Sequence, residues 1–202
     1  MKLHEAPSPN ARRVHVFMAE KGIDCERVGV DIRGGENLSA EFKAMNPAGR
    51  VPVLELDDGS FISESVSICR YLEGTHPEPP LFGTDPKNAA LVDMWQRRAE
   101  INFMLNVAMA FRNITGFFKD RETCVKEWGE VSAATAVDFV PMFDEQLGKQ
   151  PYLGGESFSI ADITFAVAWG FAKQVGVVEL PTLPNIERWL AAVNARPSFA
   201  ST

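Results

Sequence analysis

The sequence predicts an α/β N-terminal half, a βαβ unit followed by a ββα unit, joined by a short linker to an all-α C-terminal half. Three observations carry this. Over the first 76 residues, short strand-like and helix-like stretches alternate between breaks at Gly22, Gly34-Gly35, Pro47, Gly49, Asp58-Gly59 and Gly74. The stretch THPEPPLFGTDP from Thr75 then holds Pro77, Pro79, Pro80 and Pro86, which no helix can run through. After it, helical spacing of apolar residues is almost unbroken. The expected boundaries are 1–76 for the α/β domain, 77–85 for the linker and 86–202 for the helical domain.

Each element has a local reason. Lys2 to Glu5 reads as a short strand, less apolar than a central strand because of His4 and Glu5. Asn10 to Lys21 carries Val14, Phe17 and Met18 at helical spacing, and Gly22 is a stop because glycine takes the left-handed conformation after a helix. Arg27 to Asp31 alternates as a strand, and Ser39 to Ala44 suits one short helix. Val53 to Leu56 faces Phe61-Ile62 across Asp57-Asp58-Gly59-Ser60, a hairpin signal. Glu64 to Glu73 sets Ile68 and Leu72 four apart and closes the domain as a helix.

In the second half, Asp85-Pro86 opens a helix running through Met94, Trp95, Ile101 and Leu105, because proline in the first turn loses no useful donor. A second long helix is expected from about Cys124 to Leu147, with Pro141 as a kink. Ser159 and Asp162 form a capping box, with Phe158 and Ile163 as its hydrophobic staple, at the head of a buried helix from Ile160 to about Lys173. Leu183-Pro184-Asn185 opens the last helix, Ile186 to Asn194, which Arg196-Pro197 ends.

Composition excludes whole classes of function. The 202 residues are 46% apolar, with 20 basic against 27 acidic side chains and a net charge of −7. No basic run could supply the phosphate contacts that nucleic-acid binding depends on, so no nucleic acid is expected as partner. No apolar stretch approaches bilayer length and the N-terminal MKLHEAPSPN has no signal-peptide core, so no membrane is expected and the expectation is a soluble, cytoplasmic protein. Cys25, Cys69 and Cys124 stand far apart in no ligand pattern, so neither a disulfide nor a metal site is expected.

Four motifs stand in order along the chain: SPNARRV at Ser8 to Val14, NPAGRVPVLELDDG at Asn46 to Gly59, ESVSICRYLE at Glu64 to Glu73, and SIADITFA at Ser159 to Ala166. Together they resemble the cytosolic glutathione S-transferase family, in the bacterial and yeast-type group whose start is similar to the serine-using phi and theta classes. The resemblance implies the glutathione transferase fold: a thioredoxin-like N-terminal domain that holds glutathione, then a helical domain that supplies most of the electrophile pocket. It also implies a homodimer.

The chemistry expected of such a protein is thiol activation. A free thiol of pKa about 8.5 is only a few per cent thiolate at neutral pH. Lowering that pKa by about two units takes roughly 2.7 kcal/mol, within reach of one hydrogen bond to the anion at a helix N-terminus. Ser8, with Pro9 and Asn10, opens the first predicted helix. Taken alone it reads as a cap; the resemblance makes it the thiolate donor, with Asn10 in reserve. The resemblance also implies a cis Val51-Pro52 bond whose Val51 backbone pairs with the cysteinyl residue of glutathione as an added strand would. Glu64-Ser65 at a helix start suits the γ-glutamyl end, although Ser63 or Ser65 also reads as a plain cap with Glu64 in the first turn. Asn37 and Arg50 match positions that in relatives hold the glycyl carboxylate or neighbouring backbone. Ser159 and Asp162 are read as a folding element only.

For the electrophile, the candidates are Phe103, Leu105, Phe111, Phe117 and Phe118, with Arg112 and Asn113 as the nearest polar groups. An aromatic stripe of this spacing equally suits a core. Asn113 stands where some yeast-type relatives carry a histidine that positions a water near sulfur, which shifts weight to Ser8. The expected reaction is conjugation of glutathione, as co-substrate, to a small hydrophobic electrophile. A glutathione-dependent disulfide reductase or peroxidase is the enzymatic alternative, against which stands a serine where thiol exchange uses cysteine. A non-catalytic binding or stress-associated module is the other.

Overall fold

The computed structural model describes residues 1–200. The chain divides into two compact units, Met1–Pro80 joined by the C-terminal segment that begins at Pro197, and Leu81–Arg196. The sequence assigns everything past residue 85 to the helical domain, whereas the segment from Pro197 belongs to the first unit.

In the first unit, β1 (Lys2–Glu5), β2 (Glu26–Gly29), β3 (Val53–Glu55) and β4 (Phe61–Ser63) form one sheet in the order β2-β1-β3-β4. β1 and β2 run parallel, joined through α1 (Pro9–Lys21); β3 is antiparallel to both β1 and β4. A 3₁₀ turn at Glu36–Leu38 and the short α2 (Ala40–Met45) lie between β2 and β3, and α3 (Ser65–Thr75) follows β4. The alternation of β1 buries Leu3 completely and leaves His4 half-buried, as a strand covered on one face requires. α1 packs along α3. On another side, Phe42 of α2 is buried with Val30 and Val53, against which Met45 and Val51 pack.

One cation fastens the chain where it leaves this unit. The Lys21 side chain is wholly buried, and its Nζ donates to the carbonyls of His76 at 2.8 Å, Pro77 at 3.3 Å and Pro79 at 2.6 Å while pairing with Glu73 at 2.5 Å. The last helix, α10 (Pro197–Ala200), packs on α1: Ser198 donates to Glu20 at 2.5 Å, and the Arg12 guanidinium stands 5.9 Å from the Phe199 ring.

The second unit holds α4 (Pro86–Arg98), α5 (Leu105–Thr115), α6 (Lys126–Asp138), α7 (Val140–Lys149), α8 (Ile160–Val175) and α9 (Pro184–Asn194). Asp85 caps α4 through the N–H groups of Lys87 and Asn88. Between α4 and α5 the helix widens to a π-type segment at Ala99–Met104, a local device that apolar spacing does not reveal. The expected helix from Cys124 to Leu147 is two helices, because Pro141 has no N–H for the preceding turn and its ring crowds that turn's carbonyl; it sits instead in the first turn of α7. α8 is buried over most of its length, its Phe165 and Trp169 packing on Phe103 and its Phe165 on Phe143 and Trp189; Phe143 and Phe165 stack with centroids 4.2 Å apart. The Asp162 carboxylate, itself fully buried, accepts from the Ser159 N–H at 3.1 Å, the Ser159 hydroxyl at 2.9 Å, the Leu153 N–H at 2.9 Å and the Trp189 indole N–H at 2.9 Å. Among the described residues no helix is long and apolar enough to cross a membrane.

Candidate active site

Strand register brings the first three motifs to one end of the sheet. Val53 pairs with His4 on one side and with Ser63 on the other, both antiparallel. Continuing those ladders, Val51-Pro52 lies beside the point where β1 runs out towards Ser8 and where β4 runs out towards Glu64-Ser65. Three separate motifs therefore meet.

Ser8 is the residue before α1, in extended conformation, and its Oγ accepts the Ala11 N–H at 3.1 Å. Capping uses an acceptor lone pair of the hydroxyl; its O–H proton is left for another partner. The cap and the thiolate donor are thus compatible roles for one side chain. Asn10, one turn further in and exposed, points its Oδ1 at the Ser65 Oγ, 3.5 Å away.

α3 starts without any side-chain cap and with no acid in its first turn, so its first N–H groups are open to an acceptor that is not its own. Glu64, just before it, holds φ of 68° and ψ of 114°, a conformation that disfavours any residue with a side chain and is kept only where the surroundings enforce it. Its side chain is exposed. Ser65 is buried, and the Arg13 guanidinium donates to its Oγ at 3.0 Å. Arg13 is one of the largest wholly buried side chains in the protein, and spacing did not single it out. A signal was there: Arg13 and Lys21 stand four residues either side of buried Phe17, on one helical stripe.

The Val51-Pro52 bond is cis. Val51 is half-buried and takes part in none of the hydrogen bonds among the described residues. The loop before it is shaped by buried Asn46, which sequence reading passed over although Asn-Pro is a turn signal: its Nδ2 donates to the Arg50 carbonyl at 2.7 Å and its Oδ1 accepts the Ala48 N–H at 3.1 Å. Asn37 is buried, and its Nδ2 donates to the Gly49 carbonyl at 2.6 Å, tying the 3₁₀ turn to this loop. Gly49 has φ of 60°, and a Cβ there would stand 2.9 Å from the Asn37 carbonyl oxygen. Asn37 therefore holds the loop through its amide, with Arg50 exposed beside it.

The candidates in the helical unit separate into two groups. Phe103 is wholly buried between Phe143, Phe165 and Trp169, which leaves it no surface to offer a ligand. Phe111 meets Phe117 at 5.2 Å and Phe171 at 5.5 Å, Phe117 meets Phe118 at 4.8 Å, and Phe117 is exposed, so this is an open aromatic cluster at the end of α5, while Leu105 is exposed at the start of that helix. Arg112 lies over the Phe118 ring at 4.6 Å and is paired with Glu122. Both ends of the Asn113 amide are used between α5 and α6, donating to the Met109 carbonyl at 2.9 Å and accepting the Val125 N–H at 2.8 Å.

Known proteins bear on this geometry. The family model for the glutathione S-transferase N-terminal domain matches residues 7–75, and that for the C-terminal domain matches residues 132–197. Glutathione S-transferase 2 of Saccharomyces cerevisiae is 33% identical over 203 residues, covering 98% of this chain and 87% of its own. Among solved structures, a glutathione S-transferase domain-containing protein of Marinobacter aquaeolei superposes with a TM-score of 0.95 at 36% identity, covering 98% of this chain and 100% of the other. A glutathione S-transferase of class Gtt2 from Vibrio parahaemolyticus gives 0.88 at 41% identity, with 100% and 96% covered. Two domain models matched in chain order, and relatives at this identity over nearly the whole length, establish that the protein belongs to the glutathione S-transferase family.

Proposed function

We propose that this chain is a working glutathione transferase, which binds glutathione in its α/β unit, holds the thiol as thiolate and adds it to a small hydrophobic electrophile. The observation that carries the reading is the approach of Asn10 to Ser65, which draws the N-terminal turns of α1 and α3 together although the residues are 55 positions apart. The anionic γ-glutamyl end goes to the open turn of α3 with Ser65, and the exposed Glu64 side chain takes the ammonium. The Val51 backbone pairs with the cysteinyl residue, and Arg50 takes the glycyl carboxylate. Sulfur then lies near Ser8, whose O–H donates to it at the positive end of α1. The thiol proton leaves to solvent, the thiolate attacks the electrophilic carbon, and the sulfur–carbon bond forms while the electron pair of the broken bond leaves with the departing group.

Conjugation is favoured over thiol exchange by the cysteines. The first turn of α1 has Ser8 and no thiol, while burial pushes the Cys69 thiol up to about 12, so it supplies no thiolate. The protein is further proposed to be a cytoplasmic homodimer, and light scattering at micromolar concentration checks the dimer; a monomer mass overturns that part.

Titration calorimetry with glutathione, followed by ultraviolet absorbance of the bound thiolate against pH for wild type and Ser8→Ala, tests the reading. Binding in the millimolar range or tighter is expected, with the thiol midpoint raised by about one to two pH units in Ser8→Ala. No binding at millimolar glutathione would overturn the transferase assignment. An unchanged midpoint would pass the donor role to Asn10.

A further inference from the structure

Glu5 is the last residue of β1 and His15 lies on α1, and the two side chains meet, with His15 Nε2 paired to the Glu5 carboxylate. They are only 15% and 14% exposed, so water screens this pair far less than a surface pair. An ionised carboxylate only accepts, so Nε2 carries the shared hydrogen whether the imidazole is neutral or charged. What lies between the two residues gives the contact its interest. The chain turns from β1 into α1 through Ala6, Pro7 and Ser8, and neither Ala6 nor Pro7 makes a hydrogen bond among the described residues. Ser8 is fixed to α1 by its cap on the Ala11 N–H. Seven residues are two helical turns, so Ser8 and His15 share one side of α1. The pair therefore ties the side of α1 that carries Ser8 to the end of β1. Glutathione sulfur, by contrast, is placed in the proposed site from beside β3, through the Val51 backbone. Where the Ser8 O–H stands relative to sulfur thus depends on how α1 sits on the strand end, and a misplacement of about 1 Å costs up to about 100-fold in rate.

We propose that Glu5 and His15 are positioning residues, a clasp across the β1–α1 turn that sets the Ser8 hydroxyl on the sulfur of glutathione and so favours the thiolate without touching the tripeptide. This rests on the transferase reading above with Ser8 as the donor. A second pair of the same chemistry is its control. His4 and Glu55 meet at 2.7 Å and join β1 to β3, on the face opposite to Glu5 because successive strand residues alternate, and they span no part of the Ser8 turn.

The test is the ultraviolet titration of the bound glutathione thiol, read against bound S-methylglutathione so that the protein's own cysteines cancel. Calorimetric Kd for S-methylglutathione, which has no thiol, reports the hold on the tripeptide alone. His15→Phe and Glu5→Leu are each expected to raise the thiol midpoint by about 0.5 to 1 pH unit, with Kd for S-methylglutathione within about threefold of wild type. The shared direction matters, because the two residues bear opposite charges and a simple field on the thiolate would move the midpoint in opposite senses. His15→Gln, whose amide N–H replaces that of Nε2, should recover at least half of the shift, and His4→Phe should stay within about 0.2 pH unit of wild type. Added to Ser8→Ala, His15→Phe should shift the midpoint no further, since the clasp acts through Ser8. An unchanged midpoint in folded His15→Phe, the same shift with Ser8 absent, or an equal shift in His4→Phe overturns the proposal. Should His15→Phe not fold, Glu5→Leu decides, because an unchanged or lowered midpoint there overturns it as well. Two other results are distinct from these: wild type that binds no glutathione removes the transferase reading together with the clasp, and an unchanged midpoint in Ser8→Ala alone removes the donor on which the clasp acts.

Discussion

Lys21 shows how single residues in this protein do more than their position in a helix suggests. Its stem crosses the Phe17 ring, with Nζ 5.5 Å from the centroid, and its ammonium is shared between Glu73 and three carbonyls of the segment that leads out of the first unit. Removing one partner of a buried pair leaves the other charge and its desolvated acceptors behind, which is why such losses exceed those of exposed pairs. Lys21→Met should lower the unfolding free energy by about 3 kcal/mol or more, read from urea denaturation; a change under about 1 kcal/mol, the scale of an exposed pair, would show that water replaces the cation. Charged residues on a buried stripe are the part of the sequence that hydropathy misreads. Val14, Phe17 and Met18 announced the core face of α1, while Arg13 and Lys21 on that same stripe did not announce that they were buried. By contrast the helix starts at Ser8 and Ser65 were legible, because a hydroxyl there beside a turn of free N–H groups is a local signal.

Helices are where sequence patterning succeeded and where its limits have physical causes. The starts of α1 and α4, where a polar cap precedes proline, and the ends of α1 and α8 at glycine fall within a residue or two of the sequence reading, because capping is local chemistry. The break between α6 and α7 and the π-type widening before α5 were missed, since apolar spacing continues through both. Helix proximity is equally invisible: a Cβ on Gly129 of α6 would lie 2.7 Å from Ile114 Cγ1 and 3.0 Å from the Ile114 backbone nitrogen of α5. Gly129→Ala should therefore destabilise by about 1–3 kcal/mol even though alanine is the better helix former by about 1 kcal/mol, because backbone cannot move aside as a flexible side chain would. Thermal denaturation checks it, and a stabilised variant would show that α5 and α6 part easily. At the head of α8, burial raises the Asp162 carboxyl from its ordinary 3.8 to about 6 against four hydrogen-bond donors that pull it down. Between those two values the folded state holds a proton that the unfolded chain has released, so the stability from this group is complete below pH 3.8 and lost as the pH rises through about 6. The unfolding free energy of wild type minus that of Asp162→Asn should fall by about 1.4 kcal/mol per pH unit across that window and level off above it, as other titrations cancel in the difference. A flat difference from pH 4 to 7 would mean that the four donors keep the carboxyl ionised throughout.

For the molecule as a whole, the net charge of −7 is the fact that the site must overcome, since glutathione is also an anion. Long-range attraction cannot help, so in the proposed site affinity comes from local groups: the N-terminal turns of α1 and α3, and Arg50. The first of these belongs to α1, and α1 is in turn held by the far end of the chain. No local pattern points to this, because four residues are too few to show a period and the partner of Ser198 is 178 positions away. Phe199 of α10 is 8% exposed, Ser198 donates to Glu20, and both lie against the helix that carries Ser8. Losing a buried phenylalanine and a hydrogen bond to a carboxylate should cost about 3 kcal/mol. A variant ending at Arg196 is thus expected to unfold at lower urea by that amount, although every residue of the proposed glutathione site is retained. Glutathione at about 100 times its Kd contributes about 2.7 kcal/mol to whichever folded state binds it. If α10 acts by supporting α1, saturating glutathione should bring the shortened protein back to about the stability of the full chain without ligand. A shortened protein as stable as the full chain would show that α10 only rests on α1; one destabilised as expected but no longer stabilised by glutathione would show that α10 shapes the site itself.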